Sequence, residues 1–166
     1  AEKHDAQPVT VCTSVVKTPL YPAPMIPPAF QTSAKIESPP LTALAARQAY
    51  EEAAVGPEDL DLVELQDVAA SSEIIYTEEL GLCPLGEATR LLDEGITEIG
   101  GRLPINASGG LLSNGEPIGA SGLRQVVEMD WQLRGQAGLR QVAGAKTGLG
   151  HVVGAGPSCG VVILKR

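Results

Sequence analysis

Aromatic residues are scarce in this chain: one Trp, one Phe and three Tyr among 166 residues. Its core must therefore be aliphatic, and the length suffices for one such domain over residues 1–166. Histidine is scarcer still, with only His4 and His151. The cysteines, Cys12, Cys83 and Cys159, stand far apart, and none forms a close ligand pair. This inventory argues against a metal site and a disulfide framework, and it suits a reducing, cytoplasmic compartment. No apolar run approaches the length of a membrane span, and the opening AEKHDAQPV does not read as a secretory leader. Positive charge is the minority sign. Twelve Lys and Arg face twenty Asp and Glu, a net charge of −8, which argues against nucleic acid and anionic membrane as partners.

What is present alternates strand and helix. Residues 8–17, PVTVCTSVVK, read as a buried strand. Residues 19–40 hold seven of the thirteen prolines and read as a long loop that packs through Met25, Ile26 and Phe30. LTALAARQAYEEAAV, 41–55, is predicted helical, with Leu41, Leu44, Ala45 and Gln48 on one face. LDLVEL, 60–65, is a strand and QDVAA a loop. Ser71 or Ser72 is placed to cap a helix that ends at Gly81. A short helix ends at Gly95, and residues 103–105 are read as a strand. Residues 142–151 and 158–164 read as a closing pair of neighbouring strands. The expectation is an α/β fold with helices layered on a five-stranded, mixed but mostly parallel sheet.

The most informative stretch is NASGGLLSNGEPIGASG, 106–122. Seven of its seventeen residues are Gly or Ala. A helical pattern follows, with apolar Leu123, Val126, Val127, Trp131 and Leu133. A glycine-rich loop running into a helix presents free backbone N–H groups to negative charge. Such a place can hold an oxyanion or an enolate.

The pattern NxxGG followed by GxPxGxSG resembles the loop of the thiolase superfamily, NxxGG…GHPxGxSG. Asn106, Gly109, Gly110, Gly115, Pro117, Gly119, Ser121 and Gly122 match it. VELQDVAASSEIIYTEELGLCPLGEA resembles VELHDxF…xELxxYExLGLCPxGEG of the sterol-carrier-protein-X, or lipid-transfer-protein, thiolases. WQLRGQAGLRQVAGAKTGLGHVVG resembles WQLRGEAGxRQVPGAKxGLxHNLG of the same type. The resemblance implies the C-terminal half of a two-half thiolase fold, with the nucleophilic cysteine in an N-terminal half outside this chain. It implies a coenzyme A thioester as substrate or ligand, with no bound cofactor. It also implies a second thiolase half, or a homodimer mate, as partner.

The functional positions depart from the pattern. Where the family has the His and Cys of HDCF, this chain has Gln66 and Val68. Where it has the His of GHP, this chain has Glu116. His151 is kept. Gln66 can donate a hydrogen bond, but Val68 cannot move a proton. An ionised Glu116 would oppose a nearby thiolate or enolate by several kcal/mol, to an order of magnitude, in a dry site. The expectation is a thiolase-like domain that binds or acts on acyl-CoA thioesters without being a competent thiolase by itself. The alternative implied by the resemblance is a retro-aldolase subunit working with an OB-fold/zinc-ribbon partner. Glu116, Asp67 and Tyr76 would then supply acid and base, with Gln66 and His151 beside them. Asn106, Gly109, Gly110, Gly119 and Ser121 would shape the loop. Each side chain has a plainer reading: Asp67 as a cap, Tyr76 and His151 as core, Glu116 as a helix-start carboxylate.

Overall fold

The computed structural model of the protein describes residues 8–19, 39–154 and 158–166. The proline-rich stretch lies, apart from its ends, outside the described residues, and so do residues 155–157 of the turn. Four strands form one sheet: β1 (Thr10–Lys17), β2 (Leu62–Glu64), β3 (Thr147–Gly154) and β4 (Ser158–Lys165), in spatial order β1-β4-β3-β2. β4 is antiparallel to both its neighbours and β2 is parallel to β3. Three strands thus run one way and β4 alone is reversed, which makes the sheet mixed as the sequence implied, although two of its three pairings are antiparallel because β4 sits between β1 and β3. β3 and β4 are joined by a connection too short for anything but a hairpin.

The expected fifth strand is not formed among the described residues. Residues 103–105 contribute only an isolated parallel bridge, Val63 to Ile105. Pro104 has no N–H for a ladder, and Asn106 turns the chain with φ +52°.

Helices cover both faces. α1 (Leu41–Ala53) and α2 (Ala70–Glu79) lie over the face lined by Val63, Leu65, Leu149, Val161 and Ile163. α5 (Ser121–Arg134) covers the other with Met129 and Leu133 against Leu62 and Leu164. The alternation of Leu62 and Val63 between the two clusters is the period-two geometry of a strand buried on both sides. Two short helices, α3 (Ala88–Asp93) and α4 (Gly110–Asn114), complete the set.

Three details correct the sequence reading. α2 begins at Ala70 with Ala69 at the cap position, two residues before Ser71, and has no side-chain cap, so neither Ser71 nor Ser72 is the cap. The buried face of α1 is Thr42, Ala45, Ala46 and Ala49 rather than Leu41, Leu44, Ala45 and Gln48. Small side chains let this helix lie close on the sheet, while the longer ones sit at the margins. α5 turns its polar residues inward. Gln125, Glu128 and Gln132 are buried, whereas Leu123 and Trp131 are 67% and 43% exposed and Val127 is also exposed.

Gln125, Glu128 and Gln132 are each bonded. Gln125 Nε2 donates to the His151 carbonyl at 2.8 Å. Gln132 Oε1 accepts the Val142 N–H at 2.7 Å. Glu128 is paired with Arg140 at 2.8 Å. The helix then reaches the sheet through glycines in β3. A Cβ on Gly150 would stand 2.8 Å from Met129 Cε and 3.0 Å from Val162 Cγ1. Gly150→Val should therefore prise α5 from the sheet and lower the unfolding free energy by about 1–3 kcal/mol. Urea unfolding measures this, and an unchanged midpoint would refute the close packing.

Candidate functional site

Four consecutive residues at the end of β2 each grip the glycine-rich loop. Glu64 accepts Ser108 N–H at 3.0 Å and Ser108 Oγ–H at 2.6 Å. Leu65 N–H donates to Asn106 Oδ1 at 2.9 Å. Gln66 Nε2 donates to Glu116 Oε1 at 2.5 Å. Asp67 Oδ1 accepts Leu111 N–H at 2.6 Å. Glu64, Gln66 and Asp67 are all buried. The loop is thus seated by side-chain and backbone bonds in place of a strand ladder.

The loop residues explain themselves in this frame. Asn106 holds φ +52°, a left-handed conformation that Asn tolerates better than most residues. Its Oδ1 replaces a backbone acceptor for Leu65, and its Nδ2 donates to Glu73 at 3.4 Å. Gly110 has φ +62°, and any Cβ there would overlap the Asp67 carboxylate. Gly109 and Gly119 also have positive φ. Ser121 is buried at the start of α5, with its N–H on the Pro117 carbonyl. Residues 112–120, Glu116 among them, are exposed.

Gln66 is fixed from both ends. Its Oε1 accepts the Val153 N–H of β3, and its Nε2 reaches Glu116. One Nε2 hydrogen is left over, directly beside a carboxylate acceptor. This donor–acceptor pair at the end of β2 is the chemical feature of the loop.

Beneath it lies a second polar group on the α1 face. His151, wholly buried, faces Thr42 Oγ1 across 3.2 Å. Thr42 also bears on Glu79, whose carboxyl burial pushes up against the hydrogen bond from Thr42. His151 Nδ1 has no partner. Burial alone holds the imidazole neutral, lowering its pKa to about 3. The Tyr76 ring stands 4.6 Å from the His151 ring at 56°. Tyr76 is pushed up by burial first, then by Glu79, Cys159 and Glu116. Burial also pushes the Cys159 thiol up to about 11, against a weaker pull from Thr42.

The predicted residues therefore fall into three places. Gln66 and Glu116 are bonded to each other. Asp67 caps the start of α4 and bears on the loop only through Leu111 and Gly110. Tyr76 and His151 pack together under the loop, where His151 presents its backbone carbonyl to α5 and its ring to α1. Sequence reasoning missed Ser108, Arg124 and Thr42. Ser108 and Arg124 are plain within NASGG and SGLRQ, and only the fold brings them to Glu64. Among the described residues no cluster of His, Cys, Asp and Glu is arranged to hold a metal ion, and no helix is long and apolar enough to cross a membrane.

Residues 31–166 match the family model described as thiolase C-terminal domain-like. The chain belongs to that family. This thiolase C-terminal-like chain is 50% identical over 122 residues to sterol carrier protein 2 of Rattus norvegicus, covering 74% of this chain and 22% of that protein. It is 44% identical to an acetyl-CoA acetyltransferase of Methanothermobacter thermautotrophicus over 126 residues, 75% of this chain and 33% of the other. It is 37% identical to benzoylsuccinyl-CoA thiolase subunit BbsB of Thauera aromatica over 151 residues, 90% of this chain and 37% of the other. Among solved structures, the Ltp2-ChsH2(DUF35) aldolase superposes with a TM-score of 0.77 at 24% identity, covering 96% of this chain and 40% of that one, a likeness of fold. The chain thus spans between about a fifth and two fifths of the relatives it matches.

Two consequences are measurable. Asn106→Ala removes the acceptor for buried Leu65 N–H and strains a left-handed residue, so it should cost about 2–4 kcal/mol in chemical unfolding. Asn106→Gly relieves the backbone and should recover part of that loss; equal losses would refute the strain component. The lowered pKa of His151 means that its contribution to stability is present above pH 6.5, the ordinary value, and is lost as pH falls toward 3. His151→Phe keeps a ring against Tyr76 and should flatten that limb of the stability–pH curve. An unchanged acid limb would show that other groups produce it.

Proposed function

We propose that this chain is one half of a two-half thiolase-like protein that holds acyl-coenzyme A thioesters, and that it does not perform thiolysis by itself. The observation that carries this is the Gln66–Glu116 hydrogen bond. It stands where the thiolase pattern places two histidines, and Val68 stands where that pattern has a proton-carrying cysteine. The pair offers a hydrogen-bond donor and a carboxylate for positioning a carbonyl, but nothing here supplies a nucleophile. Cys159 is buried with its thiol pKa raised, opposite in character to an activated thiolate. Cys12, Cys83 and Cys159 are all free thiols, which suits a cytoplasmic location.

The partner reading is supported by α5. Leu123, Val127 and Trp131 recur every four residues, and all three are exposed. Ile118, 89% exposed, precedes them in the glycine-rich loop. A helix that packs Met129 and Leu133 on its own sheet and still exposes Leu123, Val127 and Trp131 is expected to have a second apolar surface on its outer side. We assign that surface to the second thiolase half, with a homodimer mate as the alternative occupant.

A second reading is favoured by the acceptor–donor character of the pair. Glu116 can take the hydroxyl proton of a β-hydroxyacyl thioester as the Cα–Cβ bond breaks. The products are a carbonyl compound and a thioester enolate, and the enolate regains the proton at Cα. The leftover Gln66 N–H and the first-turn N–H groups of α5 would face the enolate oxygen. The fold likeness to the Ltp2-ChsH2(DUF35) aldolase suggests a DUF35 partner for this reading.

Thiolysis of a β-ketoacyl-CoA and cleavage of a β-hydroxyacyl-CoA should be assayed with the chain joined to its second half. The assembly is expected to bind acyl-CoA, and the chain alone to show no thiolysis. Thiolysis by the isolated chain would overturn the first reading. If the assembly cleaves β-hydroxyacyl-CoA, Glu116→Gln should reduce kcat by about 10²–10⁴-fold; an unaltered kcat would remove Glu116 from the chemistry. Leu123→Asp with Trp131→Glu should abolish association by sedimentation while leaving the fold intact. A wild-type chain that is a clean monomer, with no dye-binding surface, would remove the partner assignment.

A further inference from the structure

The chain holds two asparagines, Asn106 and Asn114, and only Asn114 is followed by glycine. Asn114 ends α4, and both it and Gly115 are exposed. Its Nδ2 donates to the Ser108 carbonyl at 3.0 Å and to the Gly110 carbonyl at 2.8 Å. Gly115 N–H donates to the Leu111 carbonyl at 2.7 Å. These three bonds close the end of α4 back onto the loop. Gly115 itself stands in open space, since a Cβ there would meet nothing within 4 Å. Asn106, by contrast, is buried, is followed by Ala107, and has its Oδ1 bonded to Leu65 N–H.

An asparagine followed by glycine is open to attack by its own chain, because glycine has no Cβ to obstruct the approach of its nitrogen. When Gly115 N gives its proton to solvent, its electron pair can bond to Asn114 Cγ. The Cγ–Nδ2 bond then breaks, Nδ2 takes up a proton, and ammonia leaves a cyclic succinimide. Water opens the ring at either carbonyl. One opening gives Asp. The other gives isoaspartate, whose main chain runs through the former side chain and is one atom longer. In a helical residue the following nitrogen lies away from Cγ, so the end of α4 must open first. α4 has only five residues, and so short a helix has little cooperativity to keep it closed. Neither product can restore the closure. An ionised carboxylate only accepts, so it would set oxygen against the Ser108 and Gly110 carbonyls where the amide placed donors.

We propose that Asn114–Gly115 is a covalent modification site of the folded protein, and that ammonia loss there unfastens the end of α4 and takes Glu116 off Gln66. The closed loop slows the reaction, and each opening of α4 gives it a chance to proceed. The new carboxylate adds negative charge two residues ahead of Glu116. Isoaspartate also lengthens the chain between α4 and Glu116, so Glu116 no longer meets the Gln66 amide in register. Leu111 stays anchored by Asp67, so the change runs forward from Asn114 toward Glu116 and not back into β2. No step of this chemistry returns the amide. The site loop therefore ages in one direction, at a rate set by how often one short helix opens.

Peptide mapping by mass spectrometry tests it, on the assembled protein incubated in mildly alkaline solution, folded and in urea. Asp and isoaspartate are expected at position 114 of the folded protein. Their rate of formation should lie about 10- to 1,000-fold below that in urea, the retardation that three ordinary hydrogen bonds give. Asn106 should remain an amide in the folded protein. A folded rate equal to that in urea overturns the proposal, because the three bonds would then govern nothing. Conversion slower than that range overturns it as well, because the native protein would then have no such site. The modified form, separated by anion exchange, should lose amide-exchange protection at Gly115 relative to α1, and its Gln66 side-chain amide signal should move in NMR spectra. Unchanged protection, or an unmoved Gln66 signal, overturns the uncoupling. Asn114→Asp carries the charge without the longer main chain and should also lose protection at Gly115; wild-type protection in that variant overturns the proposal. None of these readings depends on acyl-CoA binding, so failure here and failure of the proposed function are separate results.

Discussion

The structure depends on a run of polar anchors where a strand pairing would ordinarily be. After β2 the chain continues as Leu65, Gln66 and Asp67, and its neighbour is a glycine-rich loop with one ladder bridge. Burying a carboxylate or an amide is costly unless its bonding capacity is met. Here the loop meets it: Ser108 for Glu64, Glu116 for Gln66, Leu111 for Asp67. In return the loop receives a fixed course that its own glycines could not give. Each side would be poorly formed without the other, and this mutual dependence sets Glu116 where it is.

The second constraint is α5. Most surface helices turn apolar residues inward and polar residues out. α5 carries apolar residues on both sides, Met129 and Leu133 inward and Leu123, Val127 and Trp131 outward, and its buried glutamines serve as backbone partners for His151, Arg140 and Val142. Such a helix belongs between two layers rather than at the boundary of one. The same helix that starts at the candidate site also carries the exposed Leu123, Val127 and Trp131, so the site and the surface proposed for association lie on one element.

Much of this was legible in the sequence, and the failures have physical causes. The order of strands and helices, the hairpin at the end and the glycine-rich loop follow from periodicity and from Gly and Pro positions. The missing fifth strand follows from Pro104 and the left-handed Asn106, which override an apolar triplet. The face of α1 was misjudged because volume was taken as the sign of burial, whereas close approach to a sheet selects Ala45 and Ala49. The apolar pattern of α5 marks a helix but does not say which of its residues face the sheet, and Leu123, Val127 and Trp131 face outward. Gln66 and Glu116 were singled out because they depart from a motif, and the fold places them in contact. Ser108 and Arg124 carry no such mark, since their importance lies in a buried charge many residues away.

β2 pairs with β3 through only Leu62–Gly148, Val63–Leu149 and Glu64–Gly150. This short alignment acts as a ruler. Gln66 continues the line of β2 and meets the Val153 N–H, so the position of its amide is measured off β3 in steps of about 3.3 Å. A slip of one residue would displace it by that distance and offer it an N–H pointing the other way. The tolerance of the site is therefore set by strand register, a quantity that no side chain in the loop can adjust.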